Sequence, residues 1–79
     1  MHNKTSNIKP KILYVDDESI NLRLFKISFK DNCDITTSQS GEDGLKLLQE
    51  ENQFDIIISD QRMPGISGTE FMIEAKKIL

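Results

Sequence analysis

Short apolar runs alternate along this chain with segments of helical periodicity, and that alternation restricts the fold more than any other feature. In chain order the predicted elements are a strand at 11–15, a helix at 19–30, a β-branched strand at 33–37, a helix opened by Ser40, an apolar strand at 55–59 and a helix opened by Ser67. A βαβαβα order implies parallel strands joined by right-handed crossovers, with helices packed on the sheet. We therefore predict an α/β domain.

The predicted first helix is amphipathic. Two neighbouring sets of apolar residues recur at helical spacing: Ile20, Leu24 and Ile27 at positions i, i+4 and i+7, and Leu22, Phe25 and Phe29 beside them. The charged residues take the remaining face and are typical of a solvated surface: Arg23, Lys26 and Lys30.

Capping and turn signals mark the other boundaries. Ser40 to Asp43 resembles a capping box in which Asp43 replaces the usual Glu or Gln, and Ser67-Gly68-Thr69-Glu70 is a second capping signature. Met63-Pro64-Gly65 predicts a turn, because proline fixes its own φ and glycine tolerates positive φ.

Length and composition exclude several classes of protein. A chain of 79 residues builds one core at most, and its 37% hydrophobic and 29% charged residues are typical of a folded soluble domain. The longest unbroken apolar stretch, 12–15, is too short to cross a bilayer. Residues 1–10 form a polar segment without a signal core, so we expect a flexible leader and a cytoplasmic location. The single Cys33 rules out an internal disulfide, and a net charge of -3 without a basic run does not fit nucleic-acid binding.

Three acidic residues follow the carboxyl ends of two predicted strands. Asp16 and Asp17 come directly after the first strand, and Asp60 follows the third. If the strand order is 2-1-3, all three face the crevice where open parallel sheets bind ligands. Like charges held close together need compensation, and Mg²⁺ prefers oxygen ligands of this kind. Any one of these aspartates alone is more simply a turn or N-cap residue, but the three together favour a metal site.

Two segments carry a family resemblance. Ile-Leu-Tyr-Val-Asp-Asp-Glu at 12–18 and Ile-Ile-Ile-Ser-Asp-Gln-Arg-Met-Pro-Gly at 56–65, with Gly68 opening the next helix, resemble the receiver domain of bacterial two-component response regulators. The resemblance runs from about residue 11 to residue 79. It implies a flavodoxin-like fold with a parallel sheet, and a signalling module rather than an enzyme.

The resemblance also implies a role for each site residue. Asp60 would be the phosphoacceptor, taking a phosphoryl group from a phosphohistidine on a histidine kinase or phosphotransfer protein. Asp17 would bind Mg²⁺ directly, Asp16 would bind it through water, and the backbone carbonyl of Arg62 would be a further ligand. The cation would reduce the repulsion between a carboxylate and the incoming phosphoryl group. Tyr14, within the first strand, is expected to be a residue of the core or its edge.

The family domain has five strands and five helices, whereas residues 11–79 resemble its first three βα units. The Ser or Thr of the fourth family strand and the Lys of the fifth have no counterpart among these residues. We therefore expect a partial receiver domain in which residues 56–58 form an exposed sheet edge. Such an edge predicts a homo-oligomer, formed by pairing third strands across a two-fold axis or by exchanging elements between chains.

Two other functions stay open at this point. One is a dimerising interaction module that takes no phosphoryl group. The other is a Mg²⁺-dependent phosphohydrolase of the haloacid dehalogenase type, which also places an aspartate after a buried strand. That family requires a second aspartate two residues after the nucleophile, and Arg62 at this position disfavours it.

Overall fold

The chain forms a three-stranded parallel sheet with helices on both faces. A computed structural model describes residues 9–51 and 53–79. Its elements are β1 (Lys11–Val15), α1 (Ser19–Phe29), β2 (Asp34–Ser38), α2 (Gly41–Glu50), β3 (Ile56–Ser59) and α3 (Gly68–Ile78). All six predicted elements are confirmed, with small differences at their ends. Of the predicted leader, residues 1–8 lie outside the described part of the chain.

The strand order is β2-β1-β3, as predicted, and both pairings are parallel. Leu13 at the centre of β1 pairs with Thr36 on one side and with Ile57 on the other. Since β1 is the central strand, the carboxyl ends of all three strands meet at one edge of the sheet. This edge carries the predicted site.

The main core lies between the sheet and the pair of helices α2 and α3. Leu13 and Val15 of β1 pack with Leu48 of α2 and with Phe71 and Ala75 of α3, and all five are almost inaccessible to solvent. A fully buried side chain of this size contributes about 1.5–3 kcal/mol relative to an exposed one. This cluster fixes α3, and therefore the loop before it, against the carboxyl end of β1.

The capping predictions hold to different degrees at the two helices. At α3 the Ser67 hydroxyl accepts a hydrogen bond from the Glu70 amide, and the Glu70 carboxylate accepts one from the Ser67 amide, which completes a capping box. At α2 the Ser40 hydroxyl accepts from the Asp43 amide at 3.0 Å. The described side-chain cap of α2 is this single hydrogen bond, because the Asp43 side chain is one methylene shorter than the glutamate of a capping box.

Helix α1 turns only part of its predicted apolar surface towards the sheet. Leu22 is buried and Phe25 is half-buried, because α1 packs beside β2. Ile20, Leu24 and Ile27 are 65%, 58% and 61% exposed. Phe25 adds a ring contact with Tyr14, with centroids 4.7 Å apart. The three exposed residues form an apolar stripe, called the α1 stripe below.

Strand β3 lies at an edge of the sheet. Within residues 9–51 and 53–79 it pairs only with β1, so its other side presents free backbone groups. Ile56 is 46% exposed and Ile57 and Ile58 are half-buried. The apolar run at 56–58, which is typical of a buried strand, therefore forms an edge strand whose second side is unpaired within the described residues. No helix in the described residues is both long and apolar enough to span a membrane.

Candidate metal and phosphoacceptor site

The three predicted acidic residues meet at the carboxyl edge of the sheet. One carboxylate oxygen from each of Asp16, Asp17 and Asp60 lies within 4.8 Å of the other two. The Asp60 amide donates a 2.9 Å hydrogen bond to the carbonyl oxygen of Val15. Because this bond continues the pairing of β1 with β3 past the end of β3, Asp60 stays beside the Asp16–Asp17 turn. We call these three residues the acidic cluster.

Asp16 is the buried member of the cluster, only 3% exposed. Its Oδ2 accepts hydrogen bonds from the Tyr14 hydroxyl at 2.7 Å and from the Asn21 side-chain amide at 3.1 Å. Its Oδ1 accepts from the Glu18 backbone amide at 3.0 Å. Burial alone would raise the pKa of Asp16, but these three hydrogen bonds outweigh it and hold the pKa below its ordinary value. The carboxylate is thus kept charged inside the fold.

Asp17 and Asp60 are half-buried and reach the solvent at the mouth of the crevice. Asp60 Oδ1 accepts a 2.9 Å hydrogen bond from the Gln61 amide. Among the described residues, no hydrogen bond engages Asp60 Oδ2. One oxygen of Asp60 is therefore fixed by the following residue while the other stays open to a reactant.

Packing and a hydrogen bond hold the loop after β3 in place, which fixes the position of Asp60. Met63 and Ile66 pack against the main core. Gly65 adopts φ of 81°, a conformation that glycine takes without strain, and so provides the predicted turn. The Ile66 amide then donates a 3.3 Å hydrogen bond to the Glu42 carboxylate of α2.

Arg62 is the least determined of the predicted site residues. Its side chain is exposed, as expected of a residue whose predicted contribution is a backbone carbonyl. It follows Asp60 by two residues in the same loop, and the role of its carbonyl stays a prediction.

Two residues of the site were missed by sequence reasoning. Tyr14 is predicted only as a residue of the core or its edge, yet its hydroxyl donates a hydrogen bond to Asp16, and the Asn21 side chain, for which the sequence predicts no role, donates a second one. The spacing of Tyr14 and Asp16 indicates this contact, since residues two apart in an extended chain lie on the same face of the sheet. Burial beside the negative cluster raises the pKa of Tyr14 to about 12, through desolvation first, then its hydrogen bond to Asp16 and the charges of Asp16 and Asp60.

The described residues form no ion pair with the acidic cluster. Within the described part of the chain, the ion pairs join Lys11 to Glu51 and Lys77 to Glu74, away from the cluster. Three carboxylates at this separation repel one another unless a cation lies between them. All of the side-chain donors are oxygens, which is the chemistry that Mg²⁺ and Ca²⁺ prefer. The residues therefore fit a hard divalent cation.

Comparison with known proteins places this geometry in a family. Residues 12–78 match the family model of the response regulator receiver domain. The chain belongs to this family. It is a receiver domain of two-component signalling, and the flavodoxin-like fold with strand order 2-1-3 agrees with that assignment.

Relatives and solved structures support the same assignment. The receiver domain is 40% identical over 62 residues to the transcriptional regulatory protein AfsQ1 of Streptomyces coelicolor, covering 77% of this chain and 27% of the relative. It is 38% identical over 60 residues to the probable histidine kinase 4 of Oryza sativa subsp. japonica, covering 75% of this chain and 6% of the relative. The crystal structure of a response regulator receiver domain protein from Clostridium thermocellum superposes with a TM-score of 0.82 and 38% identity, covering 87% of this chain and 56% of that one. The chain thus spans little more than half of the solved domain and a smaller share of the two relatives.

Proposed function

We propose that this receiver domain accepts a phosphoryl group on Asp60, with Mg²⁺ held by the acidic cluster. The observation that carries the proposal is the meeting of three carboxylates that, within residues 9–51 and 53–79, have no ion-pair partner, and one of them keeps an oxygen free of hydrogen bonds there. Asp17 would bind the cation directly, Asp16 through water, and Asp60 and the Arg62 carbonyl would complete the protein ligands.

The reaction would transfer a phosphoryl group from a histidine nitrogen of the donor to a carboxylate oxygen of Asp60. Oδ2 of Asp60 would form a bond to phosphorus while the phosphorus–nitrogen bond of the donor phosphohistidine breaks, and the electron pair of that bond would stay on the ring nitrogen. The second ring nitrogen of the donor would carry a proton, so that the leaving group is a neutral imidazole. The product is an acyl phosphate on Asp60 and a free histidine. When bound, Mg²⁺ would neutralise the negative charge that otherwise keeps the carboxylate and the phosphoryl oxygens apart. The hydrogen bond from the Gln61 amide to Oδ1 would hold the carboxylate with Oδ2 outward.

We propose a histidine kinase or a phosphotransfer protein as the donor, acting in the cytoplasm. The resemblance to a segment of a probable histidine kinase supports this pairing, because the same domain type occurs joined to a kinase there. The half-buried Asp17 and Asp60 lie where a histidine side chain could approach from solvent.

The proposal can be tested with a small-molecule donor. The chain is incubated with acetyl phosphate and Mg²⁺, and its intact mass is measured. We expect the gain of one phosphoryl group in the wild type and none in Asp60→Asn. Asp31→Asn, which removes the same charge from an exposed turn, serves as the matched control and should be phosphorylated like the wild type. An unmodified wild type, or equal modification of Asp60→Asn, would refute the proposal.

The open edge of β3 supports a second candidate function, an interaction module that binds a second copy of itself. β3 exposes backbone groups beside Ile56 to Ile58. A four-residue edge strand of this kind is a template for another strand. The α1 stripe leaves further apolar surface on the same face of the sheet as Ile56.

Charge and the two faces of the sheet together favour one register for such a pairing. If two β3 strands run antiparallel with Ile57 opposite its own copy, Ile56 faces Ile58 of the second copy and Asp55 faces Ser59. A shift that places Ile57 opposite Ile58 brings Asp55 opposite Asp60, and like charges directly opposite destabilise a strand pair. A shift the other way places Ile56 opposite Ile57, and these side chains lie on opposite faces of the sheet. The register centred on Ile57 avoids both and keeps the same face of both sheets together.

Engineered cysteines can test this register in a Cys33→Ser background. In the proposed register Ile57→Cys lies opposite itself, within the Cα separation that a disulfide spans. We expect Ile57→Cys to form a linked dimer under mild oxidation and Ile56→Cys not to, while a mixture of Ile56→Cys and Ile58→Cys links. A wild type that is monomeric by light scattering at micromolar concentration would exclude self-association.

A further inference from the structure

We propose that Tyr14 is a positioning residue of the acidic cluster, whose hydroxyl fixes the Asp16 carboxylate so that one defined oxygen faces the cation. This inference rests on the proposed function, since it assumes that the cluster binds Mg²⁺. It goes further in naming a residue outside the metal ligands on which cation affinity depends. It also names the oxygen of Asp16 that is left to serve the cation.

The hydrogen bonds of Asp16 identify that oxygen. A carboxylate oxygen has two lone pairs, and Oδ2 uses both, accepting from the Tyr14 hydroxyl at 2.7 Å and from the Asn21 amide at 3.1 Å. Oδ1 accepts one bond within the described residues, from the Glu18 amide at 3.0 Å. The remaining lone pair of Oδ1 is the one available to a cation or to its bound water.

Tyr14 is itself held so that its hydroxyl is a fixed donor. It lies in the central strand, paired with Thr37 of β2 and Ile58 of β3. Its ring packs against Phe25 at a centroid distance of 4.7 Å, and Phe25 packs against Phe29 at 4.8 Å. An aromatic ring with neighbours on the strand and on α1 has little freedom to swing. The hydroxyl therefore acts on the cluster through Asp16 without touching the cation.

Without the Tyr14 hydroxyl, Oδ2 would regain a free lone pair. The carboxylate could then rotate about its bond to Cβ and offer either oxygen, so part of the cation-binding geometry would be lost. Removing an outer-shell partner of a metal ligand typically weakens metal affinity roughly 10-fold to 100-fold. We expect the lower end of that range, because Asn21 and Glu18 still hold Asp16.

The test is a calorimetric titration with Mg²⁺ of the wild type, Tyr14→Phe and Phe25→Leu. Tyr14→Phe keeps the ring and removes only the hydroxyl, so its Mg²⁺ dissociation constant should rise roughly 10-fold. Phe25→Leu loosens the ring packing and leaves the hydroxyl, so it should lower the urea midpoint but raise the Mg²⁺ dissociation constant by less than Tyr14→Phe does. A purely structural role for Tyr14 would instead make both variants lose affinity in proportion to their loss of stability.

Tyrosine fluorescence supplies a second readout. Tyr14 is the single tyrosine of a chain without tryptophan, so the emission of the wild type comes from the residue in question. Mg²⁺ should change this emission in the wild type and in Asp31→Asn, and should leave it unchanged in Asp17→Asn. If Tyr14→Phe binds Mg²⁺ as tightly as the wild type, this inference is wrong and the proposed function stands. If the wild type binds no Mg²⁺, both fall.

Discussion

The Gly68 amide donates a 3.0 Å hydrogen bond to the carbonyl oxygen of Gln61, which closes the loop between β3 and α3. The first residue of α3 is thereby held against the residue that follows Asp60. A Cβ at Gly68 would overlap the Asp60 carbonyl oxygen and come within 2.9 Å of the Gln61 Cα. A side chain at position 68 would prevent this approach. The position of Asp60 in the acidic cluster therefore depends on Gly68.

We therefore expect Gly68→Ala to displace the backbone of Asp60. Overpacking of this kind costs about 1–3 kcal/mol of unfolding free energy, and Mg²⁺ affinity should fall because Asp60 moves relative to Asp16. Urea denaturation and a calorimetric Mg²⁺ titration measure the two effects. Gly44→Ala is the matched control, since its Cβ would meet Phe71 and Val15 in the core at 2.9 and 3.0 Å. It should lower stability with little change in affinity, and equal Mg²⁺ affinities in the two variants would contradict the expectation.

The sequence predicts the elements and the acidic cluster because both depend on simple periodicities. A short apolar run and a helical spacing are local features, and the run at 12–15 predicts β1 at its observed bounds. The cluster of Asp16, Asp17 and Asp60 was predicted because parallel strands bring their carboxyl ends to one edge. This inference needs the strand order and no knowledge of the packing of the helices.

What the sequence could not predict is the orientation of elements about their own axes. Helical spacing states that Ile20, Leu24 and Ile27 share a face, but it does not state which face meets the sheet. The stripe is exposed because Leu22 is turned towards the sheet. The bond between Tyr14 and Asp16 could have been expected from their spacing, whereas the approach of Asn21 depends on the rotation of α1.

A second prediction concerns the two helix caps. Ser67→Ala removes the hydroxyl of a complete capping box, and we expect it to lower the free energy of unfolding by about 1 kcal/mol or somewhat more. Ser40→Ala removes a single capping bond and should cost less. Ser28→Ala, at an exposed position inside α1, should be neutral or slightly stabilising because alanine favours the helix. Urea midpoints measure all three, and a larger loss for Ser40→Ala than for Ser67→Ala would contradict the difference between the caps.

A third prediction follows from the raised pKa of Tyr14. Burial and the hydrogen bond to Asp16 raise the pKa of Tyr14 from its ordinary value of 10.0 to about 12, so the folded state keeps the phenol proton to higher pH than the unfolded chain does. The stabilising effect is complete below pH 10 and is lost as the pH rises towards 12. A single proton gives a slope of at most about 1.4 kcal/mol for each pH unit.

The tyrosinate absorbance band of the native chain should accordingly appear well above pH 10 and shift to lower pH in urea. The hydrogen bond to Glu51 raises the pKa of Lys11, which also affects stability at alkaline pH, so the unfolding free energy of Tyr14→Phe supplies the comparison. The variant should lose less stability than the wild type between pH 10 and 11. A native tyrosinate band at the unfolded position would show that the bond to Asp16 is not maintained in solution.

The fourth prediction concerns acidic pH, where the free energy of unfolding decreases as the pH falls rather than as it rises. The pKa of Asp16 is lowered in the folded state from its ordinary value of 3.8. Its stabilising effect is present above that value and is lost as the pH falls through the folded pKa. The useful quantity is the difference between variants, because contributions common to all of them cancel. Asp16→Asn removes the group, and Tyr14→Phe removes one of its three hydrogen-bond donors. The loss of unfolding free energy between pH 5 and pH 3 should therefore be largest in the wild type, intermediate in Tyr14→Phe and smallest in Asp16→Asn. Identical losses in all three chains would mean that the hydrogen bonds of Asp16 do not hold its charge, and the geometry of the cluster would then need another explanation.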